Sequence, residues 1–379
     1  MTERVPAEVF PPGDFLREEL DARGWSQVEF AEIIGRPLRT VNEIIKGKRG
    51  ISPATAKELA AALGTSAEVW MNLETTYRLQ NTEPAPERIR KLARIRAHYP
   101  IRDMVKRGWL EPSASPDILE AQILRFFAIK SLDEKPELPH AARRTGRTET
   151  KLDPLQAAWL FRVRQLAAVV NVGDFSASKL REAVERLRAL MVAPEETRHV
   201  PRILAEAGIR FVIVEPFPGS KIDGVCFWLS KAQPVIGMTI RFDRIDNFWF
   251  VLRHEIEHVL QRHGQVDAII DSELERMAGE IPEDQQPEEE RIANAAAAEF
   301  GVPRVELDDF MARVSPAFSR RRIERFAARL QVHPGIVAGQ LRRQLRRWDL
   351  FTNLLVKVRH IVTASALTDG HGHPAPALV

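Results

Sequence analysis

The stretch from Asp246 to Leu260, DNFWFVLRHEIEHVL, constrains this chain more than any other. Phe248, Trp249, Phe250, Val251, Leu252, Ile256, Val259 and Leu260 make it apolar nearly all round, the pattern of a buried helix. Yet it carries His254, Glu255 and His258 in the order H-E-x-x-H. Residues four apart share a helix face, so both imidazoles can reach one metal ion. Glu255, beside them, can take a proton from metal-activated water. The stretch predicts a zinc site.

A catalytic zinc takes three protein ligands and keeps one position for water. The third is expected within Glu288–Pro303 (EEERIANAAAAEFGVP), a strongly helix-forming segment in which Glu290 and Asn294 fall on one face. Glu290 is the expected ligand, and Asn294 the outer partner accepting the distal N–H of a zinc-bound histidine. Glu288 and Glu289 are neighbouring alternatives. His263 competes from the continuation of the first helix, although one helix cannot easily wrap three ligands around an ion. Ahead of the motif, Ile209–Val214, Gly224–Leu229 and Pro234–Ile240 read as strands. Three strands followed by the H-E-x-x-H helix suit a zinc-dependent hydrolase, because an edge strand can pair with extended substrate backbone beside the metal.

The amino-terminal part reads differently. Trp25–Gly35 (WSQVEFAEIIG) and Arg36–Gly47 (RPLRTVNEIIKG) are two short helices, with Ser26 as N-cap and Glu29 at the capping-box position. Phe30, Ala31 and Ile34 supply a buried face, Gly35 permits a tight turn, and Val41, Ile44 and Ile45 anchor the second helix. Ala31, Gly35 and Val41 at this spacing point to a helix-turn-helix. The expected DNA-facing residues are Gln27, Arg36, Arg39, Thr40, Asn42, Lys46, Lys48 and Arg49, with Glu43 also pointing outward. The first 80 residues are slightly more acidic than basic, so any DNA-facing charge must be local to Arg36–Arg49. A head that binds protein instead of DNA also fits that balance.

The run from PPGDF at Pro11 to YRLQ resembles the HigA-type antitoxins, with GKRGISP from Gly47, LGTS from Leu63 and WMNLE from Trp70 carrying the match. That resemblance covers about the first fifth of the chain and implies a homodimer on palindromic operator DNA, repression of its own promoter and a cognate toxin as partner. The H-E-x-x-H motif, its DRIDNFWF lead-in and the E-x-x-A-N helix resemble the ImmA/IrrE family of zinc metallopeptidases, most strongly over Pro201–Pro303 and more loosely over Ser115–Val337. The second resemblance implies His254, His258 and Glu290 as ligands, Glu255 as general base and a repressor protein as substrate. That family often has glycine before the second histidine, where this chain has Glu257.

With 379 residues the chain is long enough for two or three domains. Cys226 is the only cysteine, so no intrachain disulfide is possible and a reducing compartment fits. No leader or membrane-length apolar run is visible, and a cytoplasmic protein is expected. The net charge of +3 is mild, but basic residues gather at Arg88–Arg107, Arg320–Arg329 and Arg342–Arg347, and acidic ones at Asp267–Glu290. The expected fold is α+β and mostly α. It comprises a five-helix helix-turn-helix domain (1–80), a helical connecting region (81–200), a zincin-like metallopeptidase domain with a small sheet (201–310), C-terminal helices (311–364) and a disordered tail (365–379). Leu132–Lys151 reads as a polar loop, and His371 and His373 in the tail as weak metal candidates. Ser319–Leu341 looks superficially like a second helix-turn-helix, but its apolar positions suit packing.

Overall fold

The structure, a computed structural model, describes residues 9–136, 153–265, 268–272 and 286–376. Most of the polar loop expected at 132–151, and the greater part of the acidic run at 267–290, lie outside those residues. The chain divides into two compact units, residues 1–89 and 90–379.

The first unit holds α1 (Pro12–Arg23), α2 (Gln27–Ile34), α3 (Leu38–Ile45), α4 (Pro53–Leu63) and α5 (Ala67–Asn81). At the start of α2 the Glu29 N–H donates to the Ser26 hydroxyl, and the Ser26 N–H donates to the Glu29 carboxylate at 2.7 Å. The helix stops where Gly35 turns left-handed at φ 65°, a conformation that costs glycine nothing. Val41, Ile44 and Ile45 then bury one face of α3 against Leu16, Phe30, Leu59 and Trp70. Arg36 departs from expectation: it lies in the turn, and α3 begins only at Leu38. Pro37 explains this, because the residue before a proline is driven out of the helical region.

Helix α6 (Glu87–His98) runs across the division, and the second unit continues with α7 (Ile101–Lys106), α8 (Pro116–Phe127), α9 (Pro154–Val169), α10 (Ala177–Ala189) and α11 (Val200–Glu206). Next come β1 (Arg210–Val214), β2 (Ile222–Trp228), β3 (Pro234–Met238), α12 (Ile245–Leu260) and β4 (Ile269–Ser272). The chain ends with α13 (Glu288–Gly301), α14 (Arg304–Val314), α15 (Arg320–Leu330), α16 (Pro334–Leu345), α17 (Arg359–Thr363) and β5 (Leu367–Asp369). The sheet is mixed, in the order β4-β2-β3-β1-β5. Strands β1 and β3 pair in parallel, and β2 pairs antiparallel with both β3 and β4. Side chains alternate across it, so both faces are buried. Phe211, Ile213, Cys226 and Ile236 face the layer that contains α12, whereas Val212, Val214, Val225 and Val235 face α8 and α9.

Two sequence expectations change here. Helices α8 and α9, expected within a connecting region, instead form the layer that covers the second face of the sheet. Within 365–379, expected as a disordered tail, Leu367–Asp369 form β5 at the sheet edge, paired in parallel with β1. No hydrophobic pattern was needed for that strand. Its anchor is polar: Asp369 is buried against Arg162, which also donates to the Pro376 carbonyl at 3.0 Å, and accepts from the Trp109 indole at 2.9 Å. His371 is held against the Thr239 carbonyl at 2.9 Å and joins no metal-ligand cluster among the described residues. In the apparent second helix-turn-helix, Ile323, Phe326, Ala327, Ile336 and Val337 pack into the core beneath α12. Among the described residues, no helix is long and apolar enough to cross a membrane.

Candidate metal centre and recognition helix

Helix α12 lies between β2 and α13, so its H-E-x-x-H face is closed off from solvent. His254, Glu255 and His258 are all completely buried. One helical turn apart, the two imidazoles bring their Nε2 atoms to 3.0 Å. Glu290 arrives from α13: its Oε2 lies 3.4 Å from His254 Nε2 and its Oε1 lies 3.7 Å from His258 Nε2. Asp271 arrives from β4, with Oδ2 at 3.3 Å and 3.8 Å from the same two nitrogens. The four ligand atoms all lie within 4.8 Å of one another.

Zinc bound by nitrogen and oxygen ligands at about 2.0–2.1 Å in a tetrahedron needs ligand atoms about 3.3–3.4 Å apart. The observed separations of 3.0–3.8 Å bracket that edge length, so the pocket fits a cation of this size. Its polarity fits as well. Asp271 Oδ2 and both oxygens of Glu255 are buried with no hydrogen bond of ordinary geometry among the described residues. Buried carboxylate oxygens as poorly partnered as these are costly unless a cation compensates them.

The imidazoles are held from behind. His254 Nδ1 lies 3.1 Å from Asn294 Oδ1, and the Asn294 amide donates to Gln286 Oε1 at 3.4 Å. Asn294 thus lies beside His254 on the side away from the carboxylates, and accepting from Nδ1–H it would leave Nε2 available to a cation once the ring is neutral. His263, weighed as a third ligand, instead lies behind His258, Nδ1 to Nδ1 at 3.0 Å. A ring at that position orients His258 and lies away from the Nε2 atom that faces Asp271 and Glu290. Of the alternative carboxylates, Glu288 is exposed and Glu289 is half-buried, and neither joins the cluster.

Asp271 is the residue that sequence reasoning missed. Its signal was faint, a single acid in AIIDS within a longer acidic run. Gly224 was the other clue. It stands opposite Asp271 on β2, and a Cβ there would lie 2.1 Å from Glu255 Oε1. Glycine is what lets Glu255 fit beneath the strand.

Charge coupling inside the pocket is strong. Burial opposes a charge on His254, but Asp271 and Glu290 outweigh it and raise its pKa to about 9. Burial lowers that of His258 to about 4, helped by His254 and only partly opposed by Asp271. Burial also pushes Glu255 well above the usual carboxylate range, and the neighbouring Asp271 adds to this. For Asp271 burial acts upward, but His254 outweighs it and holds the group at about 2. These directions describe the metal-free pocket, in which one imidazole carries the charge that balances the carboxylates. Glu257 lies apart from this set, paired with Arg253 at 2.7 Å and accepting from the Gln261 amide at 2.7 Å.

In the first unit, Arg39, Lys46, Lys48 and Arg49 are exposed on α3 and just after it, while Gln27, Thr40 and Asn42 are half-buried. Glu43 sits between two of the cations, 2.7 Å from Arg39 and 3.6 Å from Arg49. Arg36 is engaged elsewhere, making a bidentate contact with Glu58 of α4 at 3.0 and 2.8 Å. Because these pairs are exposed, a competing phosphate or base can replace them at small cost.

The helix-turn-helix family profile matches residues 16–70. An uncharacterised HTH-type transcriptional regulator of Escherichia coli K12, YddM, is 31% identical over 83 residues, spanning 21% of this chain and 88% of that protein. Virulence-associated protein I of Dichelobacter nodosus is 37% identical over 73 residues, 19% of this chain and 68% of that protein. Among solved structures, the Pseudomonas aeruginosa antitoxin HigA with higBA promoter is 36% identical, covering 20% of this chain and 82% of that one, with a TM-score of 0.19.

Proposed function

This chain belongs, through its amino-terminal domain, to the antitoxin-like helix-turn-helix regulators, and from that premise we propose that it is an operator-binding repressor carrying a zinc-dependent peptidase centre of the ImmA/IrrE kind. The observation that carries the second half is the cluster of buried His254, His258 and Asp271 with half-buried Glu290, and Glu255 beside it. When bound, zinc polarises water and a peptide carbonyl. His254, His258 and Glu290 would hold it, with Asn294 and His263 placed to orient the imidazoles. Burial and Asp271 favour the protonated form of Glu255 in the metal-free pocket; a cation in the site would shift it to the carboxylate, which would then take a proton from water and pass it to the leaving amine. The substrate is a regulatory protein: a repressor, a cognate toxin or the chain itself. Glu255→Gln should keep zinc and abolish cleavage, read as loss of the cut fragments on incubation with those candidates. Cutting at the wild-type rate would remove Glu255 from catalysis.

For the first half, α3 enters the major groove of a palindromic operator as part of a homodimer, with Arg39, Thr40 and Asn42 toward bases and Lys46, Lys48 and Arg49 toward phosphates. Arg39→Ala should weaken operator binding by about 1–3 kcal/mol, roughly 5- to 150-fold, by anisotropy at fixed salt. Unchanged affinity would take α3 out of the interface, and a flat salt dependence would favour a head that binds protein. Asp271 supports a second reading, in which the four-residue metal set is structural or sensory and the chain cuts nothing.

A further inference from the structure

We propose that β4 is a built-in latch on this centre. It occupies the sheet edge where an extended substrate would lie, and it places Asp271 in the coordination position that a catalytic zinc keeps for water. The inference rests on the zinc reading above and specifies how that site is regulated.

Three observations carry it. First, β4 is an edge strand: it pairs antiparallel with β2, and among the described residues no strand pairs with its other side. Strand β2 is in turn the strand packed closest along α12. With β4 displaced, β2 becomes the open edge beside the metal, the place where an added peptide strand finds main-chain partners. Second, Asp271 lies in register with Gly224, the position that makes room for Glu255. The β4 side chain therefore projects directly over the proposed base. Third, Asp271 and Glu290 are equivalent toward the histidines, at 3.3 and 3.8 Å against 3.4 and 3.7 Å. Nothing in the geometry makes one a ligand and the other a bystander.

Four side-chain ligands define a closed site, three an open one. The resting chain is closed. Exchange of β4 for a substrate strand removes the fourth ligand and admits both substrate and water. The latch is short, four residues, and its pairing slips in register between Ile222 and Gly224, so a longer strand with regular pairing can compete for the edge. Both readings of Asp271 are thereby joined, since the same residue keeps the centre inert until a partner displaces it.

The test uses the full-length protein loaded with Co2+, whose visible absorption reports coordination number, and acetohydroxamate as a small metal-binding probe. Wild type should show the intense bands of a four-coordinate ion and leave them unchanged as probe is added. Asp271→Ala should bind the probe at least ten-fold more tightly, with a spectral change on binding. Asp271→Asn, which keeps the shape of the side chain, carries the same expectation if the alanine variant does not fold by circular dichroism. Equal probe binding by wild type and variants, with stoichiometric Co2+ in each, would overturn the latch and leave the metal site intact. Failure of wild type to take up Co2+ would overturn both the latch and the zinc reading.

Discussion

His254→Ala is expected to lower zinc content from about one ion per chain to near none, and to remove the rise in melting temperature that zinc gives the wild type. An ion that binds the folded but not the unfolded chain adds about 4 kcal/mol at a thousand-fold excess over its dissociation constant. At about 2–4 °C per kcal/mol for a large domain, zinc should raise the wild-type transition by roughly 10 °C. The variant should also be weaker than wild type without metal. In the metal-free pocket His254 is the group whose charge offsets Asp271 and Glu290. Removing one partner from such a buried set costs about 3–5 kcal/mol. Elemental analysis and calorimetry with and without chelator read both effects. A variant that retains stoichiometric zinc, or a wild type whose melting ignores zinc, would place the metal elsewhere.

What could be read from the sequence divides by range along the chain. His254 with His258, and Glu290 with Asn294, are pairs four residues apart, and a helix brings such residues together whatever the rest of the fold does. The same is true of the Ser26–Glu29 capping box and of the stripe of Val41, Ile44 and Ile45. Asp271 escaped because its role depends on a register between β4 and β2, two strands far apart in sequence, and on a glycine whose importance lies only in what sits over it. The pairing of Arg36 with Glu58 and the burial of Asp369 against Arg162 are non-local in the same sense. Hydrophobic periodicity does not register any of these contacts, since each is polar and each joins elements the pattern treats as separate. The helical segments of the middle were found one by one, but periodicity says which face is buried and not against what. Only the alternation of both sheet faces shows that α8 and α9 are a layer of the second unit.

The pH dependence of the metal-free protein follows from the same pocket, and its sign is fixed by which groups still titrate. His254 has a folded pKa of about 9 against an ordinary value of 6.5. Its contribution is therefore fully present below pH 6.5 and lost as pH rises through about 9. A gap of roughly 2.5 units corresponds to about 3 kcal/mol. His258 is displaced the other way, to about 4, so its contribution is complete above pH 6.5 and is lost only as pH falls toward 4. Glu255 is raised, and any part of its titration that falls in the alkaline window subtracts stability with the same sign as His254. Asp271, at about 2, adds nothing further above the usual carboxylate range. From pH 6.5 to 9, then, these pocket groups act in one direction, and chelator-treated protein should lose about 3 kcal/mol. Zinc inverts this. Ligation requires neutral His254, so binding releases its proton and affinity grows with pH over the same window. Denaturant titrations at pH 6.5, 7.5 and 9 should show a decline without metal, no decline with saturating zinc, and in His254→Ala a smaller decline that zinc does not relieve. A parallel decline in metal-free and zinc-loaded wild type would mean that the ion and the His254 proton do not compete for one nitrogen, and the centre would have to be reassigned.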